Sequence, residues 1–374
     1  MSTLRVNTLQ NTSTTDGGIS IDTSGHVTVD GVAMPSSGPL SNRNLVINGA
    51  MQVAQRGTAA VTTSGAFPVD RFKTSYNVTG GAFTAQQSTD APEGFKNSTK
   101  FEVTTAASAG ASEVCSYFYA IEGQDMQQAD FGLSSAKSLT ASFWVRSSLT
   151  GTYSVAMRNN DGSRSYIAEY TVSSANTWEK KTVTFPGTTD GTWATDNTVG
   201  ASLTWDLGSG SDRQGTAGSW LVGTNDFASS NNVNWCNTSS ATWYITGVQL
   251  EVGSVATPFE HRSFGDELAR CQRYFCKNGS DSFVTLMAQS AIDNITKSNS
   301  TEFPVTMRAQ PGTITLYDIA GTSGQIHYQT RGGGGSNIAG SIYESSTTHF
   351  SVRKTAAANE EAQMIFRYEA SAEL

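Results

Sequence analysis

The clearest strand in the sequence is Leu139-Thr-Ala-Ser-Phe-Trp-Val-Arg146, in which apolar and more polar positions alternate. Successive side chains of a strand point to opposite faces of a sheet. One face therefore carries Leu139, Ala141, Phe143 and Val145, and the other carries Thr140, Ser142, Trp144 and Arg146. This alternation predicts a strand with one face in a core and the other half-exposed.

The next stretches continue the pattern. Tyr153, Val155 and Met157 alternate in the same way, and Asn159-Asn-Asp-Gly162 supplies residues that tolerate a turn before 166–172. Short strands of this kind, separated by turns about every eight to twelve residues, continue from 42 to 262. We therefore predict an antiparallel jelly-roll β-sandwich over residues 42–262.

Composition agrees with an all-β fold. Charged residues make up 15% of the 374 residues, and solubility rests on Ser, Thr, Asn and Gly, which disfavour helix interiors.

The net charge of −8 and the absence of a basic run argue against nucleic-acid binding. No secretory signal and no run of roughly 18 apolar residues occurs, so we expect a soluble cytoplasmic product without membrane insertion.

Residues 1–41 hold short β-like stretches around the turn at 23–26, followed by the Pro-rich linker Met34-Pro-Ser-Ser-Gly-Pro-Leu-Ser41. An isolated hairpin is marginal in water. We therefore expect this segment to pack on sister chains or on another protein.

One short helix is predicted at 263–277. Its apolar stripe is Phe264, Leu268, Cys271 and Phe275, and Ser263 with Asp266 resembles a capping box. Since so short a helix is unstable alone, the stripe must pack against a domain or against copies of itself around an axis. We interpret it as a trimerising helix.

Residues 278–374 predict a second, smaller β-sandwich, whose exposed distal loops include the Gly-rich run 331–336. Its predicted strands are 283–288, 313–319, 325–330, 349–353 and 364–369. The four cysteines, Cys115, Cys236, Cys271 and Cys276, lack paired metal-ligand spacing, so we expect reduced thiols.

Several phrases resemble those of tail-fibre proteins of tailed phages, notably cyanophages and other marine phages. The amino end, Leu4-Arg-Val-Asn-Thr-Leu-Gln10, is similar to their virion-attachment end. The more specific phrases are Arg43-Asn-Leu-Val-Ile-Asn-Gly-Ala-Met51, Gln55-Arg-Gly57, Asp70-Arg-Phe72, Val248-Gln-Leu-Glu-Val-Gly253, Pro258-Phe-Glu260 and Cys271-Gln-Arg-Tyr-Phe275. Between them, Thr177-Trp-Glu-Lys-Lys-Thr-Val-Thr-Phe185 resembles a strand of jelly-roll carbohydrate-binding modules.

The resemblance implies an elongated homotrimeric fibre of a virion, made in the host cytoplasm. Its N-terminus would bind the phage tail or baseplate, and its C-terminal receptor-binding tip would mediate adsorption to a host surface glycan such as lipopolysaccharide. The alternatives are a purely structural spacer or adaptor, or a polysaccharide depolymerase. We expect no enzyme, because the sequence contains no hydrolase, metalloprotease or phosphate-loop motif.

Sugar recognition needs flat apolar rings with polar partners. Trp193, Trp220 and Trp235 lie among Gly, Ser, Thr, Asn and Asp residues and are the candidates in the sandwich. Their alternative role is to plug the ends of the core, since large rings are mostly buried.

At the tip, the candidate receptor-binding residues are Tyr328, Arg331, Tyr343 and His349, because Tyr and Arg are enriched at binding hot spots. The alternative is that they are ordinary edge, loop or inter-protomer residues. No cofactor is expected. A structural Ca²⁺ would require hard oxygen ligands, for which Asp70, Glu102 and Glu251 are the candidates, but the spacing shows no ligand loop.

Overall fold

The structure, a computed structural model, describes residues 8–9, 18–35, 41–223, 226–278, 283–290, 295–298, 300–330, 333–355 and 361–374. It divides the chain into two compact units, residues 1–262 and 263–374. Strands dominate both units, so the prediction of an antiparallel all-β sandwich fold is confirmed. Within the described ranges, none of the helices has the length and apolar character needed to span a membrane.

Near the amino end, four short strands form an antiparallel sheet in chain order: β1 (Thr8–Leu9), β2 (Ile19–Ile21), β3 (Val27–Val29) and β4 (Val32–Ala33). The predicted hairpin corresponds to β2 and β3, and one further strand lies on each side. Cross-strand partners share a face of a sheet. The partner row Leu9, Ile19, Val29 and Val32 is exposed, so this small sheet has one uncovered aliphatic face.

A chain of hydrogen bonds attaches this sheet to the rest of the first unit. His26 Nδ1 lies 3.0 Å from Asp22 Oδ2, and His26 Nε2 lies 3.1 Å from Ser254 Oγ. The opposite face of the sheet is polar, with Ser20 Oγ and Thr28 Oγ1 2.5 Å apart.

Besides three 3-10 turns, Gln127–Ala129, Ser211–Arg213 and Trp235–Asn237, the remaining described elements of the first unit are strands and one short α-helical turn. They are β5 (Phe72–Tyr76), β6 (Ala82–Ser88), β7 (Ser98–Thr105), β8 (Cys115–Glu122), α1 (Gly123–Met126), β9 (Leu139–Ser147), β10 (Gly151–Arg158), β11 (Arg164–Val172), β12 (Glu179–Phe185), β13 (Val199–Asp206), β14 (Gln214–Gly215), β15 (Trp220–Val222), β16 (Ala228–Ser229) and β17 (Thr242–Val252).

All of these strands except β14 and β16 form two facing antiparallel sheets, while β14 and β16 pair in parallel as a separate two-stranded sheet. One of the facing sheets has the order β15-β11-β10-β13-β8-β5 and the other β12-β9-β17-β7-β6. Consecutive strands pass repeatedly from one sheet to the other, which is the jelly-roll arrangement. The predicted inner face of β9 is fully buried, and the hairpin β10–β11 turns at Gly162, where φ is +68° and the N–H donates to Asn159 O over 3.2 Å.

The two ends of this unit are joined by side chains from the phrases quoted above. Asn44 Oδ1 accepts hydrogen bonds from Val46 N (2.9 Å) and Leu250 N (3.0 Å). Arg43 Nε donates to Thr257 Oγ1 over 2.7 Å. These hydrogen bonds therefore join the segment that precedes β5 to the last strand of the sandwich, β17, and to the residues that follow it.

A long segment between β13 and β17 covers part of the outer face of the six-stranded sheet. Phe227 packs there on Ala156 and Ile167, and the guanidinium of Arg158 lies 4.9 Å from the centre of the Phe227 ring. Burial lowers the pKa of Arg158 to about 10, with the charge of Arg213 acting in the same direction.

The described residues of the second unit form one helix and ten strands. They are α2 (Phe264–Gln272), β18 (Phe275–Lys277), β19 (Val284–Ser290), β20 (Ile295–Ser298), β21 (Thr301–Glu302), β22 (Thr313–Tyr317), β23 (Gln325–Thr330), β24 (Gly335–Ala339), β25 (Ser341–Ser345), β26 (His349–Thr355) and β27 (Glu361–Ser371).

Strand β27 is the central strand of this unit, with which four other strands pair. It pairs with β18 and β19 on one side and with β22 and β23 on the other, and the sheet continues through β20 to β26. The strands thus form one continuous sheet that folds back on itself. Phe350 of β26 meets Phe366 and Tyr368 of β27 at ring distances of 6.2 and 4.9 Å.

The helix is shorter than predicted. Ser263 is its N-cap and accepts a hydrogen bond from Asp266 N over 3.2 Å, as the capping pattern indicated. The prediction that Phe275 belongs to the helical stripe is wrong, because the helix ends at Gln272 and Phe275 begins β18, paired with β27. Cys271 and Phe275 are buried by their own chain, which leaves Phe264 exposed and Leu268 half-buried.

Candidate functional site

The structure brings Trp193 and Trp220 together in an aromatic cluster. Their ring centres are 5.7 Å apart, and both pack edge-on against Phe131, at 4.9 and 5.8 Å. Tyr166 of β11 extends the cluster, 5.5 Å from Trp220. Two of the three tryptophans selected from the sequence therefore belong to a single site.

Two loops carry Phe131 and Trp193, whereas Trp220 is the first residue of β15. One comprises α1 and the residues up to 138, and the other is 186–198, between β12 and β13. Gly132 N donates to Thr188 O over 2.8 Å, and Gln127 Nε2 donates to Thr195 O over 2.8 Å, so the two loops are bonded to each other. This mutual bonding fixes the positions of Phe131 and Trp193 relative to each other.

The indole N–H groups are satisfied by carbonyl oxygens of the same region. Trp193 Nε1 donates to Asp190 O, and Trp220 Nε1 donates to Pro186 O, both over 3.0 Å. A buried indole usually finds such a partner. The hydrogen bonds fix the tilt of both rings and leave their carbon edges for packing.

Two glycines make room for Trp193. Gly132 and Gly191 have φ angles of +86° and +88°, a region that other residues rarely adopt. A Cβ at Gly132 would lie 3.3 Å from Trp193 Cδ1, and one at Gly191 would lie 3.3 Å from Trp193 Nε1 and 2.6 Å from Arg164 Cγ. Both positions therefore require glycine.

Beside the cluster is an open cleft of about 710 Å³. Its lining is Met126, Gln127, Asp130, Phe131, Gly132, Leu133, Gly191, Thr192, Trp193, Ala194 and Thr195. Leu133 is 57% exposed and Trp193 9% exposed, so a ligand would meet the leucine side chain and the edge of the indole. Its volume is that of a small-molecule site.

Polar groups border the apolar floor. The carboxylate of Asp130 lies 3.3 Å from Lys137 Nζ, and both side chains are partly exposed. Gln127 and the threonines of the second loop add amide and hydroxyl groups. An apolar floor with a few hydrogen-bonding groups at its border suits a sugar, which presents C–H faces and hydroxyls.

Trp235 lies elsewhere. It is fully buried in the core, with its ring centre 6.4 Å from that of Phe101. A ring without exposed surface cannot cover a sugar. The alternative weighed for this residue, plugging the end of the core, is the one the structure supports.

The candidates at the tip differ in their exposure. Tyr328 is buried on β23, with Lys354 Nζ 3.3 Å from the centre of its ring. Tyr343 on β25 is exposed, and His349 Nδ1 on β26 lies 3.0 Å from Ser346 Oγ. Arg331 lies outside the described residues.

The carboxylates considered for Ca²⁺ are separate and occupied by protein partners. Asp70 accepts from Gln55 N over 2.9 Å, Glu102 lies 2.6 Å from Lys100 Nζ, and Glu251 accepts from Thr257 N over 2.8 Å. In the described parts of the chain, no group of three or more His, Cys, Asp or Glu side chains has the spacing to hold a metal ion.

Sequence comparison identifies no relative: no family model and no curated protein matches the chain. Solved structures with partial likeness include the enzymatically active domain of tailspike protein 4 of bacteriophage CBA120, with 13% identity and a TM-score of 0.31 over 56% of this chain and 21% of the tailspike. The family 11 carbohydrate-binding module of a Clostridium thermocellum cellulase has 13% identity and a TM-score of 0.28, over 54% of this chain and 98% of the module.

A xylan-binding domain from Paenibacillus barcinonensis has 11% identity and a TM-score of 0.25, over 57% of this chain and 96% of the domain. The chain thus spans about a fifth of the tailspike and nearly all of the two smaller modules. These TM-scores are too low to establish a shared fold, so the description of the sandwich rests on its own strands.

Proposed function

We propose that this chain is a tail fibre of a tailed phage and binds a glycan of the host cell surface, with the aromatic cleft as one of its contact sites. The observation that carries the proposal is the pairing of Trp193 with Phe131 beside an open cleft. The phage-fibre phrases support the viral assignment, and the polar groups bordering the cleft suit a glycan. The proposal includes no catalytic step.

Binding at such a cleft is weak for one site, because the ligand meets a ring edge and a single exposed leucine rather than a deep pocket. A virus compensates for weak sites by presenting several at once, since linked sites raise the effective concentration. Three copies per fibre are therefore part of the proposal, with the exposed aliphatic face of β1–β4 as the surface that sister chains cover.

The cleft is tested with Leu133→Asn and Trp193→Ala, measured on immobilised lipopolysaccharide and on an array of bacterial surface polysaccharides. We expect roughly tenfold weaker binding for Trp193→Ala, as for a hot-spot truncation, and a smaller loss for Leu133→Asn. Leu133 is on the surface, so its change tests the cleft without disturbing the core.

Matched controls are Val222→Asn, which alters a second exposed aliphatic residue, and Trp178→Ala, which removes a half-buried ring on the other sheet. Both should bind as the parent chain does. Equal binding by all four variants would remove the cleft from the proposal, and no binding by the folded parent chain would remove adhesion.

The alternative is a structural spacer of the virion that recognises no host glycan. The uncovered aliphatic face of β1–β4 is also compatible with this role, since that face can serve assembly with other chains without any glycan binding. Deleting residues 278–374 from the virion protein distinguishes the two roles. Particles that assemble but no longer adsorb support recognition, and particles that fail to assemble support the spacer. Release of oligosaccharide from host polysaccharide would instead indicate an enzyme.

A further inference from the structure

Two of the buried cysteines lie next to each other although 120 positions separate them in the sequence. Leu207 N donates to Cys115 O over 2.8 Å, and Cys236 N donates to Leu207 O over 3.2 Å. The N–H and the carbonyl of Leu207 therefore bond to the two cysteine backbones and place them side by side. A disulfide requires such neighbouring backbones. The side chains are close enough for each thiol to affect the pKa of the other.

The surroundings of the two thiols differ. Burial raises the pKa of Cys115 well above its usual value, and the neighbouring Cys236 thiol adds to the effect. The neighbouring Cys115 thiol lowers the pKa of Cys236. The two thiols therefore influence each other's ionisation.

A small cleft leads to Cys236. Its volume is about 230 Å³, and its lining includes Gly208, Ser209, Asn232 and Asn234. Two of these residues touch the thiol directly, since Cys236 Sγ lies 3.4 Å from Gly208 O and 3.2 Å from Asn234 Oδ1. Cys236 is itself buried beneath these residues, so a small opening of the cleft floor would be needed to expose its sulfur.

We propose that Cys115 and Cys236 form a latent disulfide, made by exchange with a low-molecular-weight disulfide such as oxidised glutathione that reaches Cys236 through this cleft. The Cys236 thiolate attacks one sulfur of glutathione disulfide and releases one glutathione thiolate. The Cys115 thiolate then attacks the Cys236 sulfur of the mixed disulfide and releases the second glutathione. Two protein thiols lose two protons and two electrons, and one glutathione disulfide becomes two glutathiones.

The bond would tie the first residue of β8 to the 3-10 turn Trp235–Asn237. It would thereby fix the end of the segment that covers the outer face of the six-stranded sheet. Because the closed loop is long, the bond should stabilise the first unit and raise its Tm by several degrees. The bond needs no glycan, so its test is independent of adhesion.

The test uses the reduced full-length chain, incubated in graded mixtures of reduced and oxidised glutathione, quenched with acid, denatured, alkylated and mapped by mass spectrometry. We expect a peptide pair crosslinked through Cys115 and Cys236, which dithiothreitol separates. Cys271 and Cys276 should remain free thiols during the incubation and be recovered in alkylated form. These two cysteines, buried in the second unit, are the internal control. A native chain that retains both thiols in the most oxidising mixture, or pairs either with another cysteine, overturns the proposal.

Two variants test the order of the steps. In Cys115→Ser, the mixed disulfide of Cys236 with glutathione should accumulate because no second thiol resolves it. Cys276→Ser should form the crosslink as the parent does. Glutathione on Cys115 of a Cys236→Ser chain at an equal rate would contradict entry through the cleft.

Discussion

At the scale of single residues, the phrases that resemble those of phage tail fibres hold the two ends of the sandwich domain together. Glu260 accepts a hydrogen bond from Asn44 N over 3.0 Å and lies 3.3 Å from Arg262 Nη2. Burial alone would raise the pKa of Glu260, but the hydrogen bond from Asn44 and the charges of Arg262 and Arg43 outweigh it, so the pKa lies below its usual value. The ionised carboxylate therefore stabilises the closure of the sandwich.

We expect Glu260→Gln to lower the free energy of unfolding of the first unit by about 2 kcal/mol at neutral pH, because charged hydrogen bonds are lost. A carboxyl with a lowered folded-state pKa stabilises above its unfolded pKa, near 4.5, and loses that contribution as pH falls through the folded value. The difference between parent and variant should thus shrink below about pH 4.5.

Urea titrations followed by tryptophan fluorescence measure this difference, since all seven tryptophans lie in residues 1–262. Glu93→Gln, which changes an exposed carboxylate, is the control and should match the parent at every pH. A pH-independent loss in Glu260→Gln would indicate a packing defect rather than a lost charge.

At the scale of elements, period-two alternation predicted the strands whose two faces differ. The inner face of β9 and the hairpin β10–β11 follow from the pattern alone, as does β23, whose bounds match the prediction. Strands such as β24 and β25 were missed, because their residues are largely exposed on both faces and give no alternation. The end of α2 was missed because Phe275 fits the helical spacing but pairs with β27.

The aromatic site was predictable only in part. Trp193 and Trp220 stood out in the sequence because polar residues surround them. Phe131 and Leu133 belong to a loop about 60 residues before Trp193, and nothing in their sequence neighbourhood indicated a binding site. Gly132 and Gly191 were the available clue, since glycines flanking aromatic residues indicate close packing. Trp235 has a similar polar neighbourhood, so the sequence could not show that it is buried.

The cap of α2 gives a prediction for one element. Ser263→Ala removes the acceptor of Asp266 N and should weaken the first turn by about 1 kcal/mol. Backbone amides at the start of α2 should then exchange hydrogen about fivefold faster if they open locally. Hydrogen exchange with peptide mapping measures this, and Ser300→Ala, an exposed serine outside the helix, should change nothing there.

At the scale of the whole molecule, each unit has its own core, so neither needs a second chain to fold. The proposed trimer is based on the sheet β1–β4. Its partner row Leu9, Ile19, Val29 and Val32 leaves about half of each side chain in water. Burying the exposed half of such a side chain contributes roughly 1 kcal/mol to the free energy of association. One row of four side chains on each of three chains therefore offsets only part of the entropy that the chains lose on association. A trimer therefore needs further contacts, for which Phe264 is available at 56% exposure.

Lysine on the two faces of this sheet tests the trimer. Val29→Lys places a charge in the aliphatic row and should convert a trimer into monomers, since a buried unpaired charge costs far more than one aliphatic contact gains. Thr8→Lys places the same charge on the opposite, polar face and should leave the trimer intact. Light scattering coupled to size exclusion gives the mass of each: three chains for the parent and Thr8→Lys, and one for Val29→Lys. A parent chain that stays monomeric at high concentration contradicts the trimer. Equal masses for the two variants mean that the aliphatic face of β1–β4 is not the interface between the chains.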